Sequence, residues 1–67
     1  MNQSEKELIL SDVEHRIGMI KSFYKEEEGA DELINSYEEY LKTGISHTEV
    51  KLFLEDLNLF LEGCKRN

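Results

Sequence analysis

The stretch from Ile45 to Leu61 restricts most strongly what this chain can fold into. Ser46 and Glu49 have the spacing of a capping box, in which hydroxyl and carboxylate each satisfy a backbone N–H of a first helical turn, and Ile45 can pack on Val50 as a hydrophobic staple. A helix starts here. Of the twelve residues from Val50 to Leu61, eight are apolar. At about 100° per residue, Val50, Phe53, Leu54, Leu57, Phe60 and Leu61 share about a third of the circumference, the arc that a helix buries against its neighbours. Leu52 and Leu59 fall almost opposite, beside Glu55 and Asp56. One buried face does not need them, and the surplus points to a partner.

The 67 residues allow one small domain. A core of that size contributes roughly 3–5 kcal/mol unless something staples it. Cys64 is the single cysteine, so no internal disulfide can form, and no His/Cys spacing matches a zinc site. Oligomerisation or partner binding is the remaining common source of buried area. A lone thiol fits a reducing compartment. The first ten residues, with Glu5 and Glu7 around Lys6, have neither the basic start nor the apolar stretch of a secretion signal, and no run approaches the ~20 apolar residues of a membrane span. The expectation is a cytoplasmic protein away from membranes. Fifteen acidic against eight basic residues leave a net charge of −7, which repels nucleic acid and speeds encounter with a basic partner. The same charge also keeps a small apolar-rich domain in solution.

Proline is absent, and apolar residues recur at intervals of three and four, so the fold class is all-α. Three helices, over about residues 4–28, 31–43 and 46–63, account for nearly the whole chain. The first can start at Ser4, paired with Glu7 as a capping box, or at Ser11 with Glu14. Its buried stripe reads Ile9, Val13, Ile17, Ile20 and Tyr24, with Leu10 and Phe23 on the flanks and Gly18 opposite. Glu26, Glu27 and Glu28 oppose the helix dipole, so the helix ends near Gly29. Asp31 can cap the second, whose apolar face is Ala30, Leu33, Ile34, Tyr37 and Leu41, with Tyr40 at its edge. Gly44 offers a left-handed stop. Short connections around Gly29 and Gly44 make neighbours antiparallel, giving an up-down-up three-helix bundle; the alternative is a helical hairpin that completes its core by dimerising.

Sites for chemistry are sparse. His15 lies on the polar side of the first helix, and the segment from His15 through Arg16 to Lys21 resembles in outline the histidine-bearing hairpins of sensor-kinase and sporulation phosphotransferase dimers. The asparagine that follows the histidine there is replaced here by Gly18 and Met19, which favours a solvated surface histidine. Gly44 to Leu61 resembles in outline the aspartyl-phosphate phosphatases of sporulating bacteria, acidic hairpins whose second helix carries Ser-Gln-x-Leu-Asp. The residues here are Leu54, Glu55, Asp56, Leu57 and Asn58, so the serine and the aspartate that would do the chemistry are missing and membership is not expected. Asp12 and His15 have the spacing of di-metal bundles without the second pair that such a site needs, and His47 beside Glu49 is accounted for by helix capping. No metal or cofactor is expected. Cys64 falls one turn past the apolar face of the third helix and reads as a structural thiol, although Lys65 and Arg66 could lower its pKa.

Two surfaces remain available for binding. Glu26, Glu27, Glu28, Asp31 and Glu32 place five carboxylates in seven residues, and Glu38 and Glu39 extend the acidity onto the second helix. Such runs are most often solvated faces, and their functional counterpart is a dock for a basic protein or a mimic of nucleic-acid phosphates. Leu52 and Leu59 form the second surface. Tyr24 and Tyr37 fit core edges, whereas Tyr40 is placed at an interface. The resulting expectation is a small acidic protein without catalytic activity, acting by binding another protein as regulator, inhibitor or adaptor. A homodimeric scaffold joined through Leu52 and Leu59, a nucleic-acid-mimicking inhibitor of a basic protein, and a phosphotransfer protein using His15 are the alternatives.

Overall fold

Among the described residues, three helices pack into a small up-down-up bundle. The computed structural model describes the backbone of residues 3–66 and the side chains of residues 5–66, so the expected Ser4 cap lies outside the described side chains. Helix α1 spans Gln3–Phe23, α2 spans Ala30–Thr43 and α3 spans His47–Arg66. The closest packing joins α1 to α3, and α2 leans mainly on α1.

Two polar contacts define how α1 and α3 meet. Arg16 Nε donates to Asn58 Oδ1 at 2.6 Å, across 42 residues of sequence. Near the other end, His47 Nε2 stands 3.7 Å from Glu5 Oε1, again 42 positions apart (47 − 5). Equal offsets at two places along both helices mean that they run parallel and in register. The Arg16–Asn58 bond is exposed and contributes little stability. At 3.7 Å the second contact is too long for a hydrogen bond, which leaves the buried His47 Nε2 without one among the described residues. The stability lies in the apolar seam of the two helices, where Val13, Ile17 and Ile20 of α1 meet Val50, Phe53, Leu57 and Leu61 of α3, all buried. From α2 only Ala30 is fully buried; Leu33, Ile34, Tyr37 and Tyr40 are half-covered. The second helix is thus a cover laid over an α1–α3 core, and aromatic rings span the gap to α3: Tyr40 meets Phe53 edge-on, with ring centroids 5.2 Å apart.

The ends of the elements depart from expectation in instructive ways. Helix α1 stops at Phe23, five residues before 28, with the Tyr24 N–H making the last helical bond to Ile20. Two tight turns follow, closed by Glu27 N–H to Tyr24 O and Ala30 N–H to Glu27 O. Continuing the helix would set three carboxylates against its negative end. Leaving it early places Glu26, Glu27 and Glu28 just ahead of the positive end of α2, where negative charge is favoured. Asp31 is not the cap of α2. The cap position is held by Gly29 at φ 92°, without a side-chain cap bond, and Asp31 sits in the first turn. Gly29, not Gly44, has the left-handed conformation. Gly44 closes α2 at φ 87° and ψ 166°, its N–H bonded to Tyr40 O at 2.8 Å. At the start of α3 the capping box forms as read, Glu49 N–H to Ser46 Oγ at 3.2 Å and Ser46 N–H to Glu49 Oε1 at 3.4 Å. Phe23 and Leu41, expected on apolar faces, are 75% and 66% exposed. Phe23 ends α1 beyond the reach of the core, and Leu41 lies in the last turn of α2, where that helix has little to cover.

Leu57 and Leu59 differ by two positions on one helix and by almost the full range of burial, 0% against 71% exposed. Leu57→Ala is expected to cost about 2–5 kcal/mol, comparable to the whole stability of such a core, and to abolish a cooperative thermal transition followed by circular dichroism. Leu59→Ala is expected to stay within about 0.5 kcal/mol of the parent. Glycines divide in the same way. The backbone of Gly44 lies in a region essentially reserved for glycine, so Gly44→Ala should destabilise by about 1–3 kcal/mol. Gly18, mid-helix with open space around it, should gain up to about 1 kcal/mol as Gly18→Ala, read as a higher midpoint in urea unfolding.

Candidate protein-binding surface

The outer face of α3 carries Leu52 and Leu59, 56% and 71% exposed, with the exposed carboxylates of Glu55 and Asp56 between them. They project outward because Val50, Phe53, Leu57 and Leu61 occupy the inward arc of the same helix. Two turns separate them, roughly 10 Å along the axis. The apolar surplus read from the sequence is therefore an exposed stripe on the folded chain.

The acidic turn between α1 and α2 folds onto the far end of that stripe. Phe60, half-buried, lies beneath it: a Cβ added at Gly29 would meet the Phe60 ring at 3.8 Å. The Glu27 carboxylate lies close enough to Cys64 to act on it. Burial first, and then this negative charge, push the thiol up from its ordinary value, opposite to the lowering that Lys65 and Arg66 could give. A thiol shifted this way is less nucleophilic at neutral pH, as suits a structural residue. Leu59, Phe60, Glu27, Glu28 and Arg66 line one open concavity, while Glu26, Glu27, Glu28, Asp31, Glu32 and Lys25 line the next. Glu27 and Glu28 belong to both. A contiguous surface results, with an exposed leucine at one end and five carboxylates against one lysine at the other.

Other residues singled out in the sequence lie elsewhere. Glu38 and Glu39 are exposed on α2 and line neither concavity. Leu52 lies beyond Leu59 toward the start of α3 and outside both. Tyr40, expected at an interface, spends its ring on Phe53 and faces a separate apolar cleft. The Tyr37 hydroxyl is pushed up by burial, then by the charge and hydrogen bond of Glu14, which ties α2 to α1. His15 is exposed and shares an open groove of mixed character with Arg16, Met19, Asn58, Leu61, Glu62 and Lys65. Asp12, the other half of the di-metal spacing, lies 3.9 Å from Arg16, whose Nη1 also donates to the Asp12 carbonyl at 3.2 Å. Among the described residues, no three or more His, Cys, Asp or Glu side chains are grouped to hold a metal ion, and no helix is long and apolar enough to cross a membrane.

Sequence reasoning found the leucines and the carboxylates but not their adjacency. The available signal was Gly29, whose left-handed turn brings the glutamates back over α3. Phe60 was assigned wholly to the core, whereas its half-exposed ring is the floor that connects the two features. No known protein family, curated protein or solved structure matches this chain.

Proposed function

We propose that this protein is a non-catalytic binding module that docks a basic, amphipathic segment of another protein, and that it acts as a regulator, inhibitor or adaptor through that contact. One observation carries the reading: Leu59 shares a concavity with Glu27 and Glu28, which belong to the acidic turn. An apolar anchor beside a cluster of like charge suits a partner helix with one leucine-like side chain facing α3 and lysine or arginine on its flank. The net charge of −7 favours approach of such a segment. Burial of the anchor supplies affinity, roughly 1.5–3 kcal/mol for a fully covered leucine. The carboxylates supply orientation and encounter rate more than affinity.

A fluorescein-labelled peptide, helical and with leucine at every third or fourth position flanked by arginine, provides the test by fluorescence anisotropy. Saturable binding is expected to weaken about tenfold or more in Leu59→Ser. The triple variant Glu26→Gln, Glu27→Gln, Glu28→Gln should flatten the dependence on salt while leaving helical content unchanged. A peptide of the same composition with its leucines scattered around the helix should bind more weakly. Absence of saturable binding by the patterned peptide, or binding indifferent to both sets of substitutions, contradicts the proposal.

A further inference from the structure

At the end of the bundle away from the acidic turn, α1, the last turns of α2 and the first turns of α3 part to leave an apolar cleft of about 190 Å³. Leu10 and Val13 form one wall, and Tyr37, Tyr40 and Phe53 form the others. The α2–α3 connection closes the bottom, where Gly44 contributes no side chain. Leu41, 66% exposed, stands at the rim. The cleft exists because α2 packs on α1 and makes little close approach to α3, so the space between them is bounded by rings rather than by backbone.

Lys6 is the one charged residue in the lining among the described residues. It is half-buried, on a chain whose acidic residues outnumber its basic ones fifteen to eight, and no ion pair engages it among the described residues. A lysine stem lying along apolar surface with its ammonium at the edge is a natural mouth for a negatively charged group. Size limits the rest. Benzene fills an apolar cavity of about 150 Å³, so a space of about 190 Å³ takes one ring and a short arm. Three aromatic walls favour a ring over an alkyl chain through edge and offset contacts.

We infer that this cleft binds a small aromatic monocarboxylate, its ring among Tyr37, Tyr40 and Phe53 and its carboxylate at the Lys6 ammonium. The site is separate from the α3 surface and does not depend on the function assigned to it. A ligand of so few atoms binds only weakly, with a dissociation constant of order millimolar.

The experiment is a two-dimensional amide NMR titration of the isotope-labelled protein with 3-phenylpropionate, alongside 3-phenylpropanol and hexanoate as probes. The expected result is saturable shifts at Leu10, Tyr37, Tyr40, Ile45 and Phe53, with 3-phenylpropionate tighter than either comparison compound. Lys6→Met should weaken 3-phenylpropionate several-fold and leave 3-phenylpropanol unchanged, with a spectrum otherwise that of the parent. Equal affinity for acid and alcohol would remove the role of Lys6. Tighter binding of hexanoate would remove the aromatic preference. Shifts centred on Leu52 and Leu59, or no saturation at all, would overturn the assignment.

Discussion

The parallel contact of α1 with α3 is the constraint on which the other features depend. Among the described residues, seven of the eight fully buried side chains belong to these two helices, and their register is repeated at Glu5 with His47 and at Arg16 with Asn58. Parallel neighbours in one chain need a return path, which α2 supplies. That helix is consequently free to bury little, and it does: Ala30 alone is fully covered. A bundle whose third element serves as cover leaves two kinds of space. One is the outer face of α3, which none of the described residues covers, and the other is the cleft where α2 and α3 stay apart.

Charge determines how the return path is built. Three consecutive glutamates at the C-terminal end of a helix would add their charge to its unsatisfied carbonyls. The chain avoids this by leaving α1 at Phe23 and turning twice, so that the same carboxylates precede the N-terminus of α2. Gly29, the cap of α2 at φ 92°, completes the reversal, and its position above Phe60 brings Glu27 and Glu28 beside Leu59. The candidate surface is thus a consequence of a local electrostatic problem at a helix end.

The sequence made much of this legible and left a definite remainder. Three helices, the buried arc of α3 and its capping box follow from periodicity and spacing that act within one element. Val50, Phe53, Leu57 and Leu61 of that arc and Val13, Ile17 and Ile20 of the α1 stripe are buried, while Leu54 and Phe60 at the edges of the arc and Ile9 and Tyr24 at the ends of the stripe are half-covered. The outward direction of Leu52 and Leu59 follows from the same geometry. What could not be read depends on relations between elements. Asp31 looked like a cap because its residue type suits one, but the turn places Gly29 there. Leu41 and Phe23 have the right period for burial, yet they sit at the ends of their helices outside the core and stay 66% and 75% exposed. Tyr40 looked like surplus because its partner, Phe53, lies on another helix. The adjacency of leucine and carboxylates required the path of the turn.

The central claim is that α1 and α3 complete their core within one chain, leaving the outer face of α3 uncovered. Light scattering across a dilution series, with helical content followed by circular dichroism on the same samples, tests it most directly. The account predicts the 7.9 kDa mass of one chain at the dilute end with helical content unchanged throughout. A dimer that loses helix as it dissociates would contradict it, because the core would then be completed by a second copy and α3 would have no free face.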